Sequence, residues 1–397
     1  MRRPYLLLAL GLGLPGLAQP VLRLEGEVAG PLVLTTPGLV VEGEGAVLRG
    51  KEGHTLSLLA PGIRVRGLRV VGAGPEEDFF EPDAAIYLRG CEGCVLEGVA
   101  VEEAPTAVRV EDAPGVVVRG LTALGRGASP GVLVYGSPGV RVEESELRGY
   151  MEGIYVEYSP YARIRKNLLE ENGRYGFHVM FSWGVVVEGN LSRKNGIGNA
   201  VMHGAENLVR QNLLEGHESP VAYGLLLQDE RGSRAEANRF TRNTLGLVLL
   251  DAVGVRVAEN LFRENGTALR LTRERGGNSA RVEGNAFQGN LYDLLVDDPE
   301  AKAQVVGNRY DRTPGLPVPH LPTSSFALFL ARQPELSLFA LSPGVLLWEA
   351  VEAQVPGLRL ASLADPRPLP LARGGALGEA WLALGLLGGV LWWRFRA

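Results

Sequence analysis

After the initiator the chain has only three methionines, Met151, Met180 and Met202, and three of its five histidines, His178, His203 and His217, fall in the same stretch. The segment Gly153-Ile154-Tyr155-Val156-Glu157-Tyr158 aligns with Gly176-Phe177-His178-Val179-Met180-Phe181 and with Gly198-Asn199-Ala200-Val201-Met202-His203. Side chains alternate in direction along a strand, so Ile154, Phe177 and the series Val156, Val179, Val201 read as interior. One outward column then holds Tyr155 and His178; the next holds Glu157, Met180, Met202 and Gln228. His203 ends its strand, with Asp229 and Asp251 above it. Thioether and imidazole donors together suit a soft ion, above all Cu(I). An exposed Met pair suits a contact patch for another protein equally well. Both readings stand at this point: His178, Met180, Met202 and His203 as metal donors, and Tyr155, Glu157 and Gln228 as partner contacts.

Other chemistry is sparser. Cys91-Glu92-Gly93-Cys94 lies on a turn, where two nearby thiols outside the cytoplasm pair as a disulfide or, alternatively, hold a metal. Pro75 to Asp83 is an acidic insertion with Phe79 and Phe80, read as a solvated loop or a docking element. Asp229, Glu230 and Asp251 on adjacent rungs are the carboxylates that a polysaccharide-acting enzyme would need in pairs. That enzyme, or a carbohydrate-binding solenoid, is the alternative to metal handling. No P-loop, Ser-His-Asp set or nucleotide fingerprint occurs, and a net charge of −5 argues against a nucleic-acid partner.

These residues are positioned by a repeat. An apolar, a charged and a small or polar residue precede a marker at Leu68, Val99, Leu121, Ser145, Asn167, Asn190, Asn212, Asn238, Asn260, Asn285 and Asn308. Apart from one interval of 31, the markers lie 22–26 residues apart, and a fixed period of this size demands a repeat architecture. The units hold short β-rich stretches bounded by Gly or Asn and have no helical period. The expected fold is all-β: a right-handed single-stranded parallel β-helix of about eleven coils of 22–26 residues. Asn at the markers, and again at Asn172, Asn195, Asn243, Asn265 and Asn290, is expected to tolerate left-handed turns and to bond from rung to rung. Phe240, Phe262 and Phe287 are expected to stack inside.

The flanks differ. Arg2-Arg3, an apolar run and Leu17-Ala18 read as a signal peptide over 1–18, with an uncleaved anchor as the alternative; the solenoid then spans 19–312. Residues 313–372 open with a Pro-rich linker and continue as short amphipathic helices that cap the solenoid or dock on a membrane partner. Gly374 to Trp393 reads as a transmembrane anchor, although its uninterrupted part, 380–393, is shorter than the about 17–25 residues a span needs. A buried helix is the other reading. Arg394 and Arg396 would keep the tail inside and the body outside.

The run Arg174-Tyr175-Gly176-Phe177-His178-Val179-Met180-Phe181-Ser182, followed by Gly198-Asn199-Ala200-Val201-Met202, resembles the NosD maturation proteins of nitrous oxide reductase. Ser342-Pro343-Gly344-Val345-Leu346-Leu347, running to Gln354-Val355-Pro356-Gly357, resembles that family's segment after the repeats. The resemblance implies an exported β-helix at the outer face of the cytoplasmic membrane. It would work with a NosF-type ATPase and a NosY-type permease in assembling the reductase's copper–sulfide centre, with copper supplied by a lipoprotein chaperone. His178, Met180 and Met202 are the residues carried over, as members of the metal-handling or client-contact surface. The C-terminal apolar run and the CxxC are no part of the family's pattern.

Overall fold

The computed structural model describes residues 19–298, 301–311, 342–354 and 365–371, together with 325, 326, 329, 333, 336 and 339. The signal segment, the Pro-rich linker and the C-terminal apolar run lie outside the described residues. Among those described, no helix is long and apolar enough to cross a membrane.

Each coil contributes three short strands, such as Arg163–Arg165, Leu168–Glu170 and Tyr175–Met180. Every strand pairs in parallel with its counterpart one coil away, giving three sheets of 13, 14 and 12 strands wound as a right-handed solenoid. There are about thirteen coils, two more than the markers count. The coils before Leu68 carry no Asn; Ala46 stands one rung below Leu68, at the position Asn fills later. The first and second sheets are built mostly from triplets, until the first lengthens to five or six residues from Val253–Ala258 onward, whereas strands of the third run to six residues over most of its length, as in Glu152–Glu157 and Tyr223–Gln228. The third sheet therefore offers the widest flat outer face.

One apolar core runs the length of the interior, from Leu34 to Tyr310. Phe240, Phe262, Phe287 and Tyr310 stack within it, with centroids 4.8, 5.1 and 5.2 Å apart and nearly parallel planes. Two Asn ladders line the turns. In the first, each Asn side-chain oxygen accepts the backbone N–H of the Asn one rung below, and its amide donates to a carbonyl of that lower coil and to the next Asn. The expected left-handed Asn residues are not found. Positive φ falls on the residue just before each, among them Lys166, Gln211, Ala237 and Glu259. An extended Asn can turn its amide inward along the axis, and the preceding exposed residue takes the turn.

Asp365 ends the first ladder: its carboxylate accepts the backbone N–H groups of Gly307 and Asn308 and the Asn308 amide. Leu369–Pro370 then pairs with Arg309–Tyr310 as the last strand of the second sheet. Of the downstream segment, Phe326 packs against Tyr292 and Leu295 on the third sheet, and Pro343–Gln354 is a helix.

The second ladder is interrupted once, by His217. Its Nδ1 accepts the backbone N–H of Asn195 at 3.1 Å, and the His217 backbone N–H donates to the Asn243 amide oxygen. Burial holds this imidazole neutral, its pKa pushed down to about 4. A depressed folded-state pKa contributes stability that is full above the unfolded value of about 6.5 and is lost as pH falls towards 4. Between those limits the loss should reach about 3 kcal/mol, at ~1.4 kcal/mol per pH unit. His217→Asn, which continues the ladder, should flatten the difference in melting temperature between pH 7.5 and 4.5 relative to the unaltered chain. An equal pH dependence in both proteins would remove His217 as its cause.

Candidate functional site

The outer face of the third sheet holds the predicted columns in register. Tyr155 pairs with His178 and then Ala200; Glu157 pairs with Met180, Met202 and Gln228 in turn. One local departure shapes the site. Gly198 pairs with Tyr175 rather than Gly176, and the register slips before His178 reaches Ala200. The slip is possible because Gly198 has φ +124°, and a Cβ there would lie 1.6 Å from the Tyr223 carbonyl oxygen. Asn199 turns inward behind it: its oxygen accepts the Phe177 N–H and the Ser192 hydroxyl, and its amide donates to the Gly224 carbonyl. A glycine and a buried amide thus set the strand that carries Met202.

The columns are less exposed than alternation implies. Met180, Met202, Gln228 and His203 are half-buried. Tyr155, Glu157 and His178 are buried, His178 being only 3% exposed. One cause is the acidic insertion. Its carboxylates face solvent, but Phe79 packs edge-on against Tyr155 with centroids 5.1 Å apart. The Ser129 hydroxyl donates to the Glu77 carbonyl and Arg109 to the Pro82 carbonyl, so the loop is strapped across intervening rungs. The insertion is thus largely solvated, as expected, while Phe79 partly covers the site.

Sequence alternation also missed Glu152. This carboxylate is wholly buried, with its oxygens 3.0 and 3.3 Å from His178 Nδ1 and 3.3 Å from Arg174 Nη1. Tyr155 and Tyr175 box the imidazole, centroids 5.1 and 4.7 Å away. Its Nε2 is buried without a hydrogen-bonding partner among the described residues, a state that costs about 1–3 kcal/mol. The Tyr155 hydroxyl donates to Glu157 at 2.9 Å and lies 3.6 Å from Met180 Sδ. Burial and that carboxylate raise the Tyr155 pKa, keeping the phenol neutral. Glu152 stands one residue before Gly153, as Tyr175 stands before Gly176; that alignment is the signal that could have found it.

At the strand ends the face becomes exposed and aromatic. Tyr158, 48% exposed, stacks on Phe181 at 5.1 Å, and Phe181 stacks on His203 at 5.0 Å. Tyr135 joins edge-on, and Trp183 is also exposed. Tyr158, Phe181 and His203 all have φ near +50°, uncommon for such side chains. Asp229 lies 3.1 Å from His203 Nδ1.

The carboxylates of the enzyme alternative have separate hydrogen-bonding partners. Glu230 is buried inside the turn, accepting from Gly204, Asn207 and Ser233, with its pKa raised by burial. Asp251 accepts the N–H groups of Glu274 and Arg275. Cys91 and Cys94 form a disulfide with Cα atoms 5.7 Å apart, so neither thiolate is free for a metal. Among the described residues, no three His, Cys, Asp or Glu side chains group as a metal site. The donors that fit copper are instead Met180 and Met202 on adjacent rungs and the orphaned imidazole nitrogen of His178, a soft set without thiolate.

A right-handed parallel β-helix with soft donors on one lateral face is the class that fold and site define. The chain belongs to the NosD family, described as periplasmic copper-binding protein: the family model matches residues 116–314, which contain every residue of the third-sheet face discussed above except Arg109 and the 75–83 strap. That description places the body outside the cytoplasm. No curated protein matches the chain. Similar solved structures include the A-module of the Azotobacter vinelandii mannuronan C-5 epimerase AlgE6, 14% identical, with a TM-score of 0.59 over 72% of this chain and 90% of that one. Another is a mannuronic acid specific polysaccharide family 6 lyase from human gut microbiota, 12% identical, with a TM-score of 0.60 over 96% of this chain and 94% of that one. At these identities the likeness is one of fold.

Proposed function

We propose that this protein handles Cu(I) as cargo during assembly of the copper–sulfide centre of nitrous oxide reductase. In this reading it accepts the ion from a lipoprotein chaperone and works beside an ABC transporter built of a NosF-type ATPase and a NosY-type permease. The observation that carries the proposal is the register of Met180 with Met202, one rung apart and next to His178, in a family described as copper-binding. Thioether and imidazole donors without a thiolate hold Cu(I) loosely enough to pass it on. Met180 and Met202 are the accessible donors and His178 the sheltered one. The stack of exposed Tyr158 on half-buried Phe181 beside them offers a contact for the chaperone, since aromatic side chains are enriched at protein interfaces. In the helix Pro343–Gln354, Leu346, Leu347 and Trp348 are exposed. At 12 residues it is too short to span a bilayer, and it suits docking on the permease or the membrane surface.

Deleting the gene should yield a reductase lacking its catalytic copper centre, and supplying the gene in trans should restore it. A fully metallated reductase in the deletion strain, together with a defect in modifying an exported polysaccharide, would favour the enzyme alternative, for which the exposed aromatics would be sugar-stacking platforms.

A further inference from the structure

The Glu152–His178 pair is more than a satisfied polar contact. A carboxylate is an acceptor only, so the Nδ1 facing it carries the proton. In the neutral ring the lone pair then sits on Nε2, on the side of the imidazole turned away from Glu152. That nitrogen is buried and unpartnered among the described residues. The same outward column uses Leu133, Leu226 and Val248 on other rungs, so an apolar side chain fits the position without leaving an orphaned atom. On the rung above, Ala200 pairs with His178 and adds nothing beyond a methyl group, leaving the next column's Met202 as the larger neighbour on that rung. Arg174 balances the buried carboxylate and lies over the Tyr175 ring at 4.6 Å, so Glu152 is held from a second side.

We infer that Glu152 is a positioning residue: it fixes His178 as the Nδ1–H tautomer and so presents the Nε2 lone pair as a donor to the soft cation. A carboxylate behind a metal-binding imidazole orients the ring and raises its basicity. The inference rests on the copper-handling reading for the identity of the cation, but not for the tautomer.

The test uses the full chain labelled with nitrogen-15 at histidine. Long-range proton–nitrogen correlation spectra of the metal-free protein should show His178 protonated at Nδ1 in the unaltered chain and in Glu152→Gln, whose amide oxygen still accepts. In Glu152→Leu the tautomer should be mixed or reversed. In anaerobic Cu(I) titrations against a chromophoric chelator, Glu152→Leu should bind about tenfold more weakly, within the range for such outer partners, and Glu152→Gln within threefold of the unaltered chain. In a His178→Phe background the two Glu152 substitutions should no longer differ. A proton on Nε2 in the unaltered chain overturns the inference, even if Glu152→Leu fails to fold. So does a folded Glu152→Leu protein with unchanged tautomer and affinity. If the unaltered chain binds no Cu(I) yet shows the Nδ1–H tautomer, the copper reading falls and the positioning of the ring stands.

Discussion

Replacing Met180 and Met202 together by Ala is expected to weaken Cu(I) binding by at least tenfold, about 1.4 kcal/mol, while leaving the solenoid folded. Both thioethers are half-buried on the outer face, so neither truncation empties the core. Met202 does pack against the small outer cluster of Tyr175, Ala200, Leu226 and Val248. Its loss therefore has a cost, below the roughly 2–5 kcal/mol of a fully buried Met→Ala. Competition titration and a urea melt of the same sample separate the two effects. Unchanged affinity in a folded double variant would show that the thioethers are ordinary surface. His178→Ala is a poorer probe, because it leaves the buried Glu152 carboxylate with Arg174 as its remaining charged partner.

The largest stability effect should come from the scaffold. Asn212 accepts the backbone N–H and the amide of Asn190, both at 2.9 Å, and donates to the Val187 carbonyl and to Asn238. Asn212→Leu keeps the volume but strands the Asn190 N–H and the Asn190 amide hydrogen within the solenoid wall. At about 1–3 kcal/mol for each buried unsatisfied group, the loss should be on the order of 2–6 kcal/mol. Denaturant midpoints measure it directly, and a loss under ~1 kcal/mol would mean that the ladder is ornamental. Neighbouring coils support one another in a solenoid, so the damage should spread to the rungs carrying Met180 and Met202.

Much of this architecture is legible in the residues. The markers from Leu68 to Asn308 recur because each coil must return its Asn to the same turn, and the Phe240–Phe262–Phe287 stack follows from the same period. The pairing of Met180 with Met202 follows from alternation within aligned strands. Alternation assigns direction, however, not exposure. His178 points outward as read, yet Tyr155, Tyr175 and Glu152 enclose it, and Phe79 reaches its neighbour Tyr155 from an insertion far away in sequence. No local pattern encodes where such a loop comes to rest. Asn tolerates left-handed backbone and is the residue its type suggests for the turns; the structure gives them to the preceding residue, since the amide's hydrogen bonds along the axis fix the Asn backbone.

The most direct measurement is copper per nitrous oxide reductase, purified from a strain in which the native gene is replaced by the Met180→Ala, Met202→Ala form. The protein should accumulate outside the cytoplasm at its normal level, and the reductase should lack its catalytic copper. A reductase with its full copper complement, matured by that double variant, would contradict the account.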